Sequence, residues 1–250
     1  MSTGAPREGG ARVPDGQPAG LPGTRAAGKP VLAVFDLDHT LLDGDSDVLW
    51  CDFLMAEGVL DPAVFGPRNQ AIEAGYRAGT VGTREFCEFF IGTLAGHTPA
   101  HWAALRERYL ATCIQPRLLP QGMQTLAAHR AQGHRLLMST ATNRFLAERT
   151  AQVLGFEHLV ATDSETDAQG RFTGRVAGEP NMRAGKIQRL HAWLQEQGQP
   201  PLTDHHSVFY SDSMNDLPLL SVVDEPVAVN GDERLGAVAG ERAWAKVDWR

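Results

Sequence analysis

Short apolar runs alternate with amphipathic segments along most of the chain. Four near-continuous apolar runs predict strands that are buried on both faces of a sheet. They are VLAVFD (31–36), HRLLMS (134–139), SVFYS (207–211) and PVAVN (226–230). Helical spacing of apolar residues predicts helices over Leu119–Gln132, Arg144–Leu154, Ala184–Gln197 and Asp232–Val238. Because strands and helices alternate, the predicted fold class is α/β with a parallel sheet.

The interval between the first two predicted strands is too long for a single crossover helix. From Ser46 to Cys113 the apolar spacing is helical and no strand pattern occurs. Helix-breaking residues divide this interval at Gly75, Gly79, Gly82, Gly96 and Pro99. We therefore expect a small all-helical cap domain at 46–113, inserted after the first strand, and a core domain formed by 31–45 and 114–250.

Composition predicts a tail and disfavours one class of partner. Residues 1–30 hold seven glycines, five prolines and hardly any large apolar side chain, which predicts a disordered N-terminal tail. The rest of the 250-residue chain suits one full-sized domain with a smaller insertion. Acidic residues number 30 against 23 basic residues, with no dense basic tract, so a nucleic-acid partner is disfavoured.

The cysteines and the apolar runs bear on location. Cys51, Cys87 and Cys113 are an odd, widely spaced set without a CxxC pair, which favours free thiols in a reducing compartment. No segment reaches the roughly 18 to 20 consecutive apolar residues of a membrane span, and the N-terminus lacks the apolar stretch of a secretory signal. We therefore expect a cytoplasmic protein without a membrane partner, acting as a monomer or homodimer.

The first candidate for chemistry is FDLDHT (35–40), at the end of the first predicted strand. Asp36 and Asp38 project the same way if the extended conformation persists, at the sheet edge where ligands of open α/β folds bind. Two carboxylates this close repel each other unless a cation or a shared proton relieves them. Mg²⁺ prefers hard oxygen ligands and a substrate phosphate in its shell, so the pair predicts a magnesium site.

A second acidic cluster, SDSMND (211–216), follows another predicted strand. Asp212 begins the turn and Asp216 lies four residues further on, so a turn that opens into a helix would direct both carboxylates at one point. That point can be the same metal ion if both strands end at one edge of the sheet. A lone acidic pair is usually a turn or helix-cap motif, but two clusters at strand ends favour a functional site.

Two further residues fit a phosphate site. Thr140 follows the strand HRLLMS and precedes the helix opened by Asn143, where a hydroxyl and free backbone N–H groups can hold a phosphate or simply cap the helix. Lys186, in RAGKIQRL, starts a predicted helix and can place an ammonium among the carboxylates. Taken alone, it would be a solvated surface lysine.

Four motifs, in their order along the chain, resemble those of the haloacid dehalogenase (HAD) superfamily of phosphotransferases. They are FDLDHT, STATN (139–143), GK (185–186) and YSDSMND (210–216). The resemblance covers the chain from about Val31 onward, and four motifs in the right order are specific as a set. The helical insertion directly after the first motif is similar to subfamily IB, the phosphoserine-phosphatase-like and histidinol-phosphatase-like hydrolases. The resemblance implies a Rossmann-like core and a Mg²⁺-dependent phosphatase for a small phosphorylated metabolite.

The same resemblance implies a role for each motif residue. Asp36 would be the nucleophile that forms an aspartyl-phosphate. Asp38 would protonate the leaving alkoxide and then activate the water that hydrolyses the intermediate. The implied metal ligands are Asp36, Asp38 (through its carbonyl oxygen) and Asp212, with Asp216 and Asn215 behind them. The implied phosphate ligands are Thr140 and Lys186.

In the enzymes that this chain resembles, the cap chooses the leaving group. Phosphoserine phosphatases have an acidic residue nine positions after the nucleophile that meets the substrate amine, and Asp45 occupies that position. They also carry a cap arginine for the substrate carboxylate, but a gapless alignment on Gly79 puts Glu88 there. A pocket with Asp45, Asp47 and Glu88 favours an amine or imidazole without a carboxylate. We therefore expect histidinol phosphate ahead of phosphoserine as the substrate.

Two other functions stay open. Another alcohol can resolve an aspartyl-phosphate, which would make the protein a phosphotransferase. A catalytically silent binding or regulatory module could keep the same fold, although binding alone would not require both carboxylates of the DxD pair. Product analysis with added acceptor alcohols separates transfer from hydrolysis.

Overall fold

The computed structural model describes residues 21–23, 28–78 and 80–250, so most of the expected tail at 1–30 lies outside the described residues. The strands are β1 (Val31–Phe35), β2 (Arg135–Asn143), β3 (His158–Thr166), β4 (Phe172–Ala177), β5 (His206–Ser211), β6 (Glu225–Val229) and β7 (Ala245–Val247). The helices are α1 (Ser46–Ala56), α2 (Pro62–Ala78), α3 (Thr83–Ile91), α4 (Pro99–Tyr109), α5 (Pro120–Ala131), α6 (Arg144–Leu154), α7 (Ala184–Glu196), α8 (Leu217–Leu220) and α9 (Glu233–Glu241).

These strands form one sheet in the order β4, β3, β2, β1, β5, β6, β7. Neighbouring strands are parallel except for β3 and β4, which are antiparallel. The α/β class and its mostly parallel sheet are therefore confirmed. The antiparallel edge pair departs from the wholly parallel sheet that the sequence pattern predicts.

The central strand β1 shows why its apolar run is nearly continuous. Phe35 packs in one apolar cluster with Trp50, whereas Val34 packs in another with Leu190. Because successive strand side chains point to opposite faces, a strand covered by helices on both faces has no exposed position for a polar residue. The described part of the chain contains no helix with the length and apolar composition needed to cross a membrane.

Three observed strands, β3, β4 and β7, are absent from the sequence-based prediction. The last strand, Ala245–Val247, is three residues long and exposed throughout. The antiparallel strand β4 alternates buried and exposed positions and includes Gly174. In β3 the burial ends after Thr162, and the residues from Thr162 onward are polar. None of these segments carries the continuous apolar run by which the buried strands were predicted.

The segment 46–113 folds into helices α1 to α4, with no strand among its described residues. Trp50 of α1 and Tyr109 of α4 belong to the same apolar cluster as Phe35, so these two helices pack on the sheet. By contrast, α2 and α3 contribute to a smaller cluster that contains Phe86 and Val176 of β4. The exact division between cap and core at 46 and 113 stays a prediction.

Candidate active site

A cavity of about 920 Å³ opens at the carboxyl ends of β1 and β5. All four sequence motifs contribute to its lining, with residues from the loops after β1 and β5, from the end of β2 and from the start of α7. Helices α2 and α3 contribute Glu73, Tyr76 and Phe86. The topology thus places residues distant in sequence around one cavity, as expected for the carboxyl edge of a parallel sheet.

Lys186 joins two carboxylates in the floor of this cavity. Its Nζ donates to Asp36 Oδ1 at 2.7 Å and to Asp216 Oδ2 at 2.5 Å, and the side chain is 2% exposed. Burial alone lowers the pKa of Lys186, but Asp216 and Asp36 outweigh it and raise the pKa above its ordinary value. Lys186 is therefore held as a cation beside Asp36.

A glycine allows Lys186 to reach this position. A Cβ atom on Gly185 would lie 2.3 Å from the carbonyl oxygen of Pro180, far inside van der Waals contact. Any side chain at 185 would push the first turn of α7 away from the preceding loop. The GK pair of the sequence motif thus has a steric basis as well as an electrostatic one.

Burial sets the protonation of the carboxyl group of Asp36. Burial raises the pKa of Asp36 to about 7, against the lowering effect of Lys186 and with further raising effects from Asp216 and Asp38. The carboxyl groups of Asp36, Asp38, Asp212 and Asp216 outnumber the single ammonium of Lys186 in this part of the cavity. Additional positive charge here would therefore stabilise the ionised carboxylates.

Asp38 is held by hydrogen bonds from two elements. The backbone N–H of Ser46, at the start of α1, donates to Asp38 Oδ1 at 2.7 Å. The hydroxyl of Thr142 donates to Asp38 Oδ2 at 2.6 Å, and that of Thr140 lies 3.5 Å from the same oxygen. These contacts orient the Asp38 carboxyl group in the cavity that Asp36 also lines.

Thr142 is a site residue that the sequence reasoning missed. The predicted phosphate ligand, Thr140, is fully buried and is absent from the cavity lining, whereas Thr142 lines the cavity. The hydroxyl of Thr140 donates to that of Thr142 at 2.9 Å. Residues two apart on a strand share a face, so Thr142 would have followed from Thr140 had β2 been predicted to extend to Asn143 rather than to end at Ser139.

Asp36 and Asp212 lie on the two sides of one hydroxyl group. Thr40 Oγ1 is 3.4 Å from Asp36 Oδ2 and 3.4 Å from Asp212 Oδ1, and it accepts from the Asp212 backbone N–H at 3.0 Å. Burial raises the pKa of Asp212 well above its ordinary value, and the charge of Asp36 adds to this. Asp36 and Asp212 supply hard oxygen donors whose negative charges repel each other. A divalent cation such as Mg²⁺ would relieve this repulsion.

The predicted metal site has few protein ligands. No group of three or more His, Cys, Asp or Glu side chains within 21–23, 28–78 and 80–250 is arranged to hold a metal ion. The expected ligands instead combine the carboxylates of Asp36 and Asp212 with the carbonyl oxygen of Asp38. Mg²⁺ commonly takes one or two protein carboxylates and completes its shell with water and phosphate oxygens, so the residues present suit that ion.

The second acidic cluster divides between two tasks. Asp216 is buried and accepts from Lys186 and, at 2.7 Å, from Ser211 Oγ. Asn215 lines the cavity, and its Oδ1 accepts from Arg183 Nε at 3.2 Å. Both residues line the cavity, where Asp216 pairs with Lys186 and Asn215 with Arg183.

Asp45 and Asp47 make one part of the cavity acidic. Asp45 caps α1 by accepting from the N–H groups of Asp47 and Val48, both at 3.0 Å. Asp47 accepts from Asn143 Nδ2 at 2.8 Å. Burial, with Asp38 next, raises the pKa of Asp45 to about 7, and burial with Asp45 raises that of Asp47. A cationic substrate group would relieve this repulsion.

The structure does not bring Glu88 into the cavity, contrary to our expectation of a substrate contact. Glu88 Oε1 accepts from the Val176 N–H of β4 at 3.3 Å and pairs with Arg84 at 3.4 Å. Arg84 in turn donates to the carbonyl oxygen of Gly178. Gly79, on which the gapless alignment rested, lies outside the described residues. The side chain of Glu88 therefore fastens α3 to an edge strand that the sequence analysis did not predict.

The cavity combines groups suited to displacement at phosphorus. Asp36 offers a buried carboxylate nucleophile, Lys186 a fixed positive charge, and Asp38 a carboxyl group oriented for proton transfer. Asp45 and Asp47 make the adjoining part of the cavity acidic. This arrangement suits a phosphate ester whose alcohol part carries a positive charge.

Comparison with known proteins bears on this interpretation. The chain matches the family model for haloacid dehalogenase-like hydrolase over residues 33–221. It is similar to the histidinol-phosphatase of Neisseria meningitidis serogroup C (strain 8013), 35% identical over 219 residues that cover 88% of this chain and 99% of that protein. It is also similar to phosphoserine phosphatase SerB1 of Mycobacterium tuberculosis (strain ATCC 25618 / H37Rv), 30% identical over 87% of this chain and 70% of that protein.

Solved structures show the same architecture. A protein of unknown function from Bordetella pertussis Tohama I matches with a TM-score of 0.84 and 40% identity, over 89% of this chain and 100% of that chain. A substrate-bound phosphoserine phosphatase complex matches with a TM-score of 0.62 and 16% identity, over 89% of this chain and 94% of that chain. At the latter identity the likeness concerns the fold alone.

Proposed function

The chain belongs to the haloacid dehalogenase-like hydrolase family and is a phosphatase, and we propose that its substrate is histidinol phosphate, hydrolysed through an aspartyl-phosphate on Asp36. The observation that carries the proposal is the composition of the cavity. One part holds Asp36 against the Lys186 ammonium, and the adjoining part contains Asp45 and Asp47. The first suits the phosphate and the second suits a cationic leaving group.

The first half of the reaction uses both carboxyl groups of the DxD pair. The Asp36 carboxylate attacks phosphorus, and the bond from phosphorus to the ester oxygen breaks. Lys186, held between Asp36 and Asp216, offsets negative charge on the transferring group. Asp38, oriented by Ser46 and Thr142, donates its proton to the departing alkoxide, so histidinol leaves as an alcohol and not as an alkoxide.

The second half returns Asp36 to its starting state. Asp38, now ionised, takes a proton from water, and the resulting hydroxide attacks the phosphorus of the aspartyl-phosphate. The bond between phosphorus and the Asp36 oxygen breaks and inorganic phosphate is released. One residue acts as acid and then as base, as the reversal of proton flow requires.

Mg²⁺ fits beside these residues. Asp36, Asp212 and the Asp38 carbonyl oxygen would hold the ion, with Asp216 and Asn215 behind them. When bound, the ion supplies positive charge that stabilises the negative charge on the phosphoryl oxygens. Thr142 orients Asp38, and Lys186 keeps a positive charge beside Asp36.

Phosphoserine is the second candidate substrate. Arg183 lines the cavity, and a guanidinium is the group that would bind the carboxylate of phosphoserine. Arg183 is engaged with Asn215, however, and the nearby acidic pair Asp45 and Asp47 opposes a second negative charge. The 35% identity to a histidinol-phosphatase also supports the order that we propose. The three unpaired cysteines support a reducing compartment, and we place the enzyme in the cytoplasm.

The deciding experiment measures phosphate release from a panel of phosphomonoesters, with Mg²⁺ and with a chelator. We expect the highest kcat/KM with histidinol phosphate, a lower value with phosphoserine, and loss of turnover on chelation. Asp36→Asn keeps the size of the side chain and should abolish release while the circular dichroism spectrum stays unchanged. Equal kcat/KM for neutral sugar phosphates would contradict a cation-selective pocket, and substantial turnover by Asp36→Asn would contradict the nucleophile.

A further inference from the structure

Two residues of α2 face the cavity, and neither belongs to a sequence motif. Glu73 and Tyr76 are three positions apart on the helix Pro62–Ala78, so they lie on the same helix face. Both line the cavity that contains Asp36 and Asp45. No step of the proposed reaction uses either of them.

The Tyr76 hydroxyl is a buried polar group that needs a partner. It makes no hydrogen bond of normal geometry in the structure, although its ring is fixed against Phe86 with the centroids 4.3 Å apart. The guanidinium of Arg183 lies over the Tyr76 ring, 5.4 Å from its centroid. An unpaired buried hydroxyl destabilises the fold, and at a cavity wall a bound ligand can supply the missing partner.

The charges around this pair select the kind of ligand. Asp45, Asp47 and Glu73 all line the cavity, and Glu73 adds to the effects of burial and Asp38 that raise the pKa of Asp45. The cationic side chains in the lining are Lys186, which Asp36 and Asp216 hold, Arg183, and Arg234 and Arg250 near the loop after β6. Three acidic side chains in one part of the lining therefore favour a ligand group rich in N–H donors there.

We propose that Glu73 and Tyr76 form the subsite for the imidazole ring of the leaving group, an inference that rests on the proposed function. The Glu73 carboxylate accepts from one ring N–H. The Tyr76 hydroxyl donates to the second ring nitrogen when the imidazole is neutral and accepts from it when the ring is protonated. Together with Asp45, which suits the amine, this pair distinguishes a ring-bearing amine from a simple one.

The test compares two substrates that differ by the ring. Histidinol phosphate carries phosphate, amine and imidazole, whereas phosphoethanolamine carries only the first two. We expect Glu73→Gln and Tyr76→Phe each to lower kcat/KM for histidinol phosphate by about 10-fold or more, mainly through KM. The same variants should change kcat/KM for phosphoethanolamine by less than about 3-fold. Glu85→Gln, an exposed residue of α3 that is absent from the cavity lining, removes the same charge and serves as the matched control.

Binding of the product adds a readout that does not depend on turnover. Calorimetry with L-histidinol should show a Kd raised by a similar factor in Glu73→Gln and Tyr76→Phe, and unchanged in Glu85→Gln. Wild-type protein that turns over histidinol phosphate, with both variants unaffected or equally impaired on both substrates, would overturn the subsite alone. Wild-type protein inactive on histidinol phosphate would overturn the proposed function together with the subsite.

Discussion

Lys186 donates a 2.7 Å hydrogen bond to Asp36 across 150 residues of sequence, where both side chains are almost fully buried. The same ammonium contacts Asp216, so one cation serves two buried carboxylates. Each charge compensates the desolvation of the others, and removing one partner leaves an uncompensated buried charge. This cluster therefore connects the stability of the sheet edge to the chemistry of the site.

The first prediction separates these two contributions. Lys186→Met should lower the free energy of unfolding by about 3 kcal/mol, because Asp36 and Asp216 lose their counter-ion. It should also lower kcat at least ~100-fold, because no fixed cation remains beside the nucleophile. The double variant Lys186→Met with Asp216→Asn removes one of the stranded charges and should recover part of the stability without recovering kcat.

Urea unfolding in a chelating buffer and initial rates with Mg²⁺ provide the two measurements. If Lys186→Met is as stable as wild type, the buried ion pairs make no net contribution to the free energy of unfolding. Recovery of kcat in the double variant would show that the ammonium is needed only to balance Asp216.

The second prediction concerns the hydroxyl that orients Asp38. Thr142→Val keeps the shape of the side chain and removes the 2.6 Å hydrogen bond to Asp38 Oδ2. Because proton transfer depends on the position of that carboxyl group, kcat should fall about 10- to 100-fold, and Thr142→Ser should restore most of it. Thr203→Val, an exposed position away from the cavity lining, is the control. Failure of the serine variant to rescue kcat would point to lost packing instead.

A third prediction uses the double role of Asp45. Asparagine caps helices about as well as aspartate, so Asp45→Asn removes the negative charge while keeping the cap of α1. We expect kcat/KM for histidinol phosphate to fall about 10- to 100-fold, because a charge-assisted hydrogen bond to the amine is lost. Glycerol 3-phosphate has no amine, and its slow hydrolysis should be unaffected. A parallel loss on both esters would assign Asp45 to the fold rather than to substrate choice.

Much of this site follows from strand-end motifs, and the exceptions have physical causes. The positions of Asp36 and Asp216 after strands predict convergence because parallel strands end at one edge of the sheet, and the structure brings both residues to Lys186. Which threonine touches Asp38 depended on how far β2 extends beyond Ser139, and strand ends are poorly marked in sequence.

Residues contributed by helices were harder to predict. Glu88 was placed by counting from a glycine, but which way a helix faces depends on its tertiary partner. That partner is β4, an edge strand without an apolar run. Glu73 and Tyr76 belong to no motif, and only the packing of α2 over the cavity brings them to it. Sequence pattern therefore predicts the chemical centre better than the residues that choose the substrate.

The last prediction concerns acid stability and a histidine remote from the reaction. His129 is fully buried, with its Nε2 2.7 Å from the Tyr210 hydroxyl and its Nδ1 2.8 Å from His134 Nδ1. Burial, with a smaller effect of His134, lowers the pKa of His129 to about 4, whereas the unfolded chain has the ordinary value near ~6.5. Between pH 6.5 and 4 the unfolded state therefore binds a proton on His129 that the folded state does not bind.

The contribution of His129 to the free energy of unfolding is thus complete above about pH 6.5 and is lost progressively as the pH falls toward 4. Its slope is at most about 1.4 kcal/mol per pH unit, and its total between pH 6.5 and 4 is at most about 3.5 kcal/mol. His129→Gln removes the titrating ring, so its free energy of unfolding should fall less steeply than that of wild type between pH 6.5 and 4, whatever its value at neutral pH. Urea unfolding at several pH values measures the two slopes, with the exposed His191→Gln as control. Parallel slopes for wild type and His129→Gln would mean that His129 is protonated equally in the folded and unfolded states.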